Sequence, residues 1–286
     1  MALQKSVEYI KLENSDKSIE YTFYLNSEVE HLANIIYLHG GGFIAGRSDD
    51  LPAKYIEMLT AAGFRIYALN YLLAPKYRID EIIDQVELQV RQFLYKETAE
   101  NFTTDRPFFL FGRSAGAYLS LNLGYKLSNS INGIISFYGY YNFQDAVFAY
   151  PSRHYLAQSK VEPAIYQSLI NKQPLSTNDQ SSRLLIYLYT RQTGTWLNLL
   201  SKDKPEIFSK IKLSEKELNN LPPTFLTCAD KDPDVPVRQT KMMSRMIPVN
   251  ELHMVRSREH DFDRVELETI GVDIYQKLIS WILRNL

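Results

Sequence analysis

The 286-residue sequence holds a single cysteine, Cys228. That excludes an internal disulfide and any cysteine-rich metal site. Cys228 stands in the apolar run 224–229, where a small buried thiol is expected. No apolar stretch approaches the roughly 20 residues needed to span a bilayer. The opening MALQKSVEYIKLENSDKS turns charged before a signal-type apolar core develops, so the expected location is cytoplasmic, with no membrane partner. A dominant charge sign is missing too. Lysine and arginine number 32 against 33 aspartates and glutamates, for a formal net charge of −1. Nothing electrostatic therefore points to nucleic acid or an anionic surface as partner. Internal repeats and low-complexity tracts are also absent. Oligomeric state is not legible.

What is present is an ordinary globular composition, 45% hydrophobic and 23% charged, in a chain long enough to bury a sizeable core. Tyrosine is abundant at 20 residues. Many of them fall between 138 and 189, which suggests an amphipathic aromatic lining there.

Residues 6–12 and 19–25 alternate polar and apolar side chains around Asn14-Ser15-Asp16 and predict an antiparallel strand pair at a sheet edge. From there strands and helices alternate. Short buried strands are expected at 34–38, 64–69, 108–111, 131–138, 224–229 and 251–255. Helices are expected at 52–62, at 79–95 with an apolar stripe from Ile79 to Leu94, after Gly116 to about Leu127, and at 269–283. This rhythm predicts an α/β fold, a mostly parallel central sheet flanked by helices on both faces. It breaks between 139 and 222, some 80 residues of mainly helical patterning (162–171, 204–219) punctuated by Pro151, Pro163, Pro174 and Pro205. Far longer than an ordinary crossover, that interval reads as a helical cap inserted within a single domain, 1–286.

The chemistry centres on 107–121, PFFLFGRSAGAYLSL. An apolar strand runs into Gly112-Arg113-Ser114-Ala115-Gly116 and then a helix, the context in which G-x-S-x-G forms a nucleophile elbow. A Cβ at Gly112 or Gly116 would collide with the neighbouring strand or helix. The other use of a serine here is to cap the helix. Acyl transfer through Ser114 needs a base, an acid that orients it, and N–H donors for the oxyanion, with the acid and base following the serine in that order.

His260 lies beyond the C-terminal end of the last strand, where open α/β sheets gather their ligands, and is the expected base. His253, inside that strand, is expected to be satisfied structurally. The acid lies in ADKDPDVP (229–236). Asp232 is best placed, a short loop past the strand end. Asp230 is suited to holding the turn and Asp234 to capping a helix near Pro236, and both stay open as alternatives. Three consecutive glycines after a strand weaken any regular element but let backbone N–H groups approach a ligand. His39-Gly40-Gly41-Gly42 therefore reads as an oxyanion loop, with Gly41, Gly42 and Ala115 as donors. It lacks the spacing of the dinucleotide and phosphate loops. His39 is expected to bond the loop backbone.

The set HGGGF (39–43), NYLLAPKYRIDEIIDQV (70–86), GRSAG (112–116), DKDPDVP (230–236) and EHDF (259–262) resembles the hormone-sensitive-lipase-like branch of the α/β-hydrolase superfamily. The likeness covers essentially the whole catalytic core. The intervals agree as well, 75 residues from His39 to Ser114 and 28 from Asp232 to His260. The resemblance implies the α/β-hydrolase fold and a carboxylesterase or related serine hydrolase. Three positions depart from the branch. Arg113 replaces an acidic residue, Leu72 replaces an arginine, and Lys76 replaces a glutamate. The 38 residues before the glycine loop are too few for the branch's N-terminal cap, so the lid is expected from 139–222. Arg113 is expected to pair with a carboxylate under the sheet; its other reading is a charge presented to an anionic substrate. Tyr187, Tyr189 and Trp196 are expected to pack a cap helix onto the core; their other reading is the lining of an acyl or alcohol pocket.

The expected activity is hydrolysis of a small or medium, uncharged carboxylic ester through an acyl-enzyme, needing no metal or organic cofactor. The alternatives are an amide hydrolase, such as a formamidase or small peptidase on the same triad, and a non-catalytic ligand-binding protein.

Overall fold

The two alternating stretches at the start of the chain pair with each other. β1 (Leu3–Lys11) and β2 (Ser18–Asn26) run antiparallel, with Leu3 opposite Asn26 and Lys11 opposite Ser18. This is seen in a computed structural model that describes residues 3–11, 18–95, 106–171 and 178–286. The Asn14-Ser15-Asp16 separator and Pro174 lie outside the described residues. Six further strands follow: β3 (Ala33–Leu38), β4 (Phe64–Leu69), β5 (Phe108–Arg113), β6 (Gly133–Phe137), β7 (Thr224–Ala229) and β8 (Asn250–Val255). The sheet order is β1-β2-β4-β3-β5-β6-β7-β8. β2 meets β4 antiparallel, and every pairing from β4 to β8 is parallel.

All six residues of β3, β5 and β7 are buried, as expected of parallel strands covered on both faces. Alternation along β5 divides the core. Phe108 and Leu110 pack with α2 (Ile79–Tyr95) and α3 (Ala115–Lys126), while Phe109 and Phe111 pack with α1 (Ala53–Ala61) and the terminal helix. Each large apolar side chain so buried contributes roughly 1.5–3 kcal/mol. Among the described residues no helix is long and apolar enough to cross a membrane.

Between β6 and β7 come α4 (Ala146–Ala149), α5 (Arg153–Leu156), α6 (Pro163–Asn171), α7 (Gln180–Thr193), α8 (Trp196–Ser201), α9 (Ile207–Ile211) and α10 (Glu215–Leu218). The pattern read over 204–219 is two helices, because Ser214 and Glu217 form a capping box that starts a new one. After β7 come α11 (Val237–Met246), then β8, α12 (Phe262–Val265), a π turn over Leu267–Gly271, and α13 (Val272–Arg284). The terminal helix thus begins three residues later than its pattern suggests.

The order of strands decides where a ligand can sit. From β3 the chain crosses to β4 on one side and later to β5 on the other, so the connections after β3 and β5 diverge. That divergence opens a crevice at the carboxyl ends of these two strands. Leu38 lies opposite Gly112 in the register, which brings the glycine loop beside the elbow.

Candidate active site

The elbow takes its shape from two glycines and one strained residue. A Cβ on Gly112 would enter the Gly116 carbonyl, and one on Gly116 would enter the Leu38 carbonyl. Both obstacles are backbone. Gly112→Ala is expected to reach the upper end of the roughly 1–3 kcal/mol of an overpacked site, or beyond, because no side chain can rotate away. Urea unfolding measures it, and a loss under half a kcal/mol would contradict the packing. Ser114 itself has φ 53° and ψ −114°, a conformation few non-glycine residues adopt. Its hydroxyl does not cap α3.

Instead, Ser114 Oγ lies 2.9 Å from His260 Nε2, and His260 Nδ1 lies 2.7 Å from Asp232 Oδ2. A carboxylate only accepts, so Nδ1–H donates to Asp232 and Nε2 accepts from Ser114. Asp232 Oδ1 in turn accepts from the N–H groups of Asp234 (2.8 Å) and Val235 (2.9 Å). Its side chain is 1% exposed and that of His260 14%. Burial pushes the imidazole pKa down. Asp232, with Asp234 and Asp261 beyond it, outweighs burial and holds it above the usual imidazole range.

The other candidates sit as follows. Asp230 Oδ1 accepts from Ser257 N at 3.2 Å, tying the ends of β7 and β8. His253 donates to Glu251 and packs on Phe225. His39 Nδ1 donates to the Gly40 carbonyl at 2.8 Å and stacks on Tyr71, centroids 4.1 Å apart. Tyr71 OH then donates to the His39 carbonyl at 2.7 Å and props the loop from below.

Gly40, Gly41, Gly42 and Ser114 all line one cavity of ≈ 320 Å³, together with Tyr138, Tyr187 and His260. A Cβ on Gly40 would rest 3.4 Å from that of Ser114, so the loop abuts the serine. Ala115, first residue of α3, has no acceptor for its N–H within the helix. Gly42 has φ 61°, and the Tyr187 ring occupies the place of its missing side chain.

Asp234 does not cap α11, whose N-cap Pro236 carries no side-chain bond. It is buried, 2.8 Å from Arg191 Nη2, and accepts from Tyr155 OH (2.7 Å) and Tyr187 OH (2.9 Å). A buried carboxylate satisfies its charge in preference to an exposed helix end. Burial would raise its pKa, but Arg191, His260 and the two tyrosines hold it below the usual range.

Arg113 does pair with a carboxylate. Its Nη2 donates to Asp263 Oδ1 at 2.9 Å and its Nε to the Tyr138 hydroxyl oxygen at 2.6 Å, and that hydroxyl donates to the same Asp263 oxygen at 2.8 Å. Burial works against this charge, but Asp263, Tyr138, Tyr37 and Asp50 hold the guanidinium well above its ordinary value. The pair fastens β5 to the segment carrying His260, and the Tyr138 ring lies 4.7 Å from the imidazole.

Sequence reading did not single out Asp263, Tyr138 or Arg191. Asp263 stands beside the EHDF motif, yet nothing local marks it as the partner of a residue 150 positions away. Tyr187 meets both of its readings, packed against Gly42 and lining the cavity. Tyr189 stacks on Tyr166, and Trp196 Nε1 donates to the Gly42 carbonyl at 3.0 Å.

Residues 35–262 match the sequence model of a family described by the alpha/beta hydrolase fold. Among solved structures, a protein with unknown function from Staphylococcus aureus subsp. aureus Mu50 is 29% identical, with TM-score 0.86 over 98% of this chain and 99% of that one. An alpha/beta hydrolase superfamily protein from Enterococcus faecalis is 28% identical, with TM-score 0.82 over 97% and 98%. A fungal esterase from Rhizomucor miehei, 17% identical, shares the fold at TM-score 0.67 over 99% and 84%.

Proposed function

Because this chain belongs to the alpha/beta hydrolase fold family, in its hormone-sensitive-lipase-like branch, we propose that it is a serine hydrolase of small or medium carboxylic esters. The observation that carries this reading is the unbroken Ser114–His260–Asp232 hydrogen-bond chain, 2.9 and 2.7 Å long, facing the glycine loop across one cavity.

Ser114 Oγ attacks the ester carbonyl carbon as its proton passes to His260 Nε2. Asp232 holds the tautomer and stabilises the imidazolium. The N–H groups of Gly41, Gly42 and Ala115 receive the oxyanion. Collapse breaks the bond between carbonyl carbon and alcohol oxygen, and His260 returns its proton to that oxygen. Water then repeats the sequence on the acyl-enzyme and releases the acid. Residues 139–222 act as the cap of this single domain. In support, α7 and α8 bond the glycine loop and its flanks through Arg183 to the Ile44 carbonyl, Gln180 to Gly46, and Trp196 to Gly42.

The pH profile tests the base. His260 works only when neutral, so a raised pKa keeps it protonated, and inactive, to a higher pH. The ascending limb of kcat/KM is expected above the ordinary imidazole value of 6.5. Asp232→Asn removes the main opposing charge, so it should move the limb to lower pH while cutting kcat about 10⁴-fold. An ascending limb that stays put in Asp232→Asn would contradict the pairing.

A further inference from the structure

The cavity beside Ser114 is walled by three arginines, Arg47, Arg113 and Arg264, and three aspartates, Asp49, Asp50 and Asp261. Three positive and three negative groups sum to zero, so the wall as a whole attracts neither cation nor anion. It offers instead donors and acceptors side by side. Arg113 is consumed by Asp263 and Tyr138, and Arg47 by Asp49 and Asn178. Two groups remain underused. The Asp261 carboxylate does not cap α12, and among the described residues it has no hydrogen-bond or ion-pair partner. Arg264 spends Nη2 on Asp50, at 2.8 Å from the carbonyl and 3.4 Å from Oδ2. Its side chain is 46% exposed, and among the described residues its Nε and Nη1 make no hydrogen bond.

Asp261 and Arg264 stand three residues apart at one helix start, a spacing at which opposite charges ordinarily pair. Here they do not, because Arg264 is drawn to Asp50. An acceptor and a donor are thus held apart on one wall, next to His260. That is the side of the site where the leaving alcohol receives its proton. An alkyl group there would strip water from both charges and return nothing. Adjacent hydroxyls would replace that water, one donating to Asp261 and the next accepting from Arg264.

We propose, building on the esterase reading above, that the alcohol part of the substrate is a neutral polyol or sugar, with Asp261 and Arg264 as its specificity-determining residues. Glycerol 1-acetate, propyl acetate and acetylcholine test this, since they share the acyl group and differ in the alcohol. The ratio of kcat/KM for glycerol 1-acetate to that for propyl acetate is expected to be about tenfold or more, the size of one or two hydrogen bonds to charged groups. Asp261→Asn and Arg264→Gln should each bring that ratio toward one. Because it is a ratio within one variant, any change in His260 basicity cancels. A ratio of one or less, acetylcholine as the best substrate, or variants that slow both neutral esters equally would overturn the proposal. If a fluorophosphonate still labels Ser114 in that case, the esterase reading survives. Without labelling and without turnover of any acetate, both fall.

Discussion

Alanine at position 114 is expected to lower turnover of a p-nitrophenyl ester about 10⁶-fold, the loss seen when a triad nucleophile is removed. The fold should not move. Ser114 makes no capping bond that alanine would forfeit, and alanine meets the same cost at φ 53° as serine. His260→Ala should be comparably inactive, and the double variant no worse than either, because nucleophile and base act as one unit. A remnant of about 10³–10⁴-fold over water is expected from the glycine loop and binding alone. Covalent labelling by a fluorophosphonate should vanish with Ser114. Turnover by Ser114→Ala at more than a few per cent of the parent would remove the serine from the mechanism.

Arg113→Met carries the largest expected effect on stability. Asp263 is wholly buried, and its partner Arg113 is 3% exposed. Deleting one member leaves an uncompensated buried charge and should cost about 3–5 kcal/mol, a large share of the ~5–15 kcal/mol that stabilises a typical domain. Removing both ends in Arg113→Met/Asp263→Leu should regain most of that loss, since an apolar pair of similar volume often replaces a buried ion pair without penalty. Urea denaturation of the two variants measures both. A single variant within 1 kcal/mol of the parent, or a double variant no better than the single, would show that the pair does not hold β5 to the His260 segment.

What the sequence made legible is what short segments decide alone. GRSAG after an apolar run predicts the elbow because the tight turn sets Gly112 against the backbone of Gly116, four residues on, although the Leu38 carbonyl that Gly116 meets comes from a distant strand. HGGG predicts the loop beside it because few other uses exist for three glycines behind a strand. Asp232 and His260 could be placed because strand ends in this architecture point one way. The remainder depends on side chains that meet only when the sheet closes. Arg113 stood out as unexplained, but Asp263 could not be named as its partner. Asp234 was expected to cap α11, and Arg191, supplied by α7, draws it inward instead. The mixed charge of the cavity was equally hidden, since Asp49 and Asp50 precede α1 while Asp261 and Arg264 stand at α12, Arg264 being 214 positions from Asp50.

Of the chain's two tryptophans, Trp281 packs on Phe109 and Phe225 beneath the sheet. Trp196 is bonded to the carbonyl of Gly42 itself. An indole in that position is an optical probe already wired into the glycine loop. With Trp281 changed to phenylalanine, emission at the remaining site would follow the loop alone, giving acylation and ligand entry a fluorescence signal without any added dye.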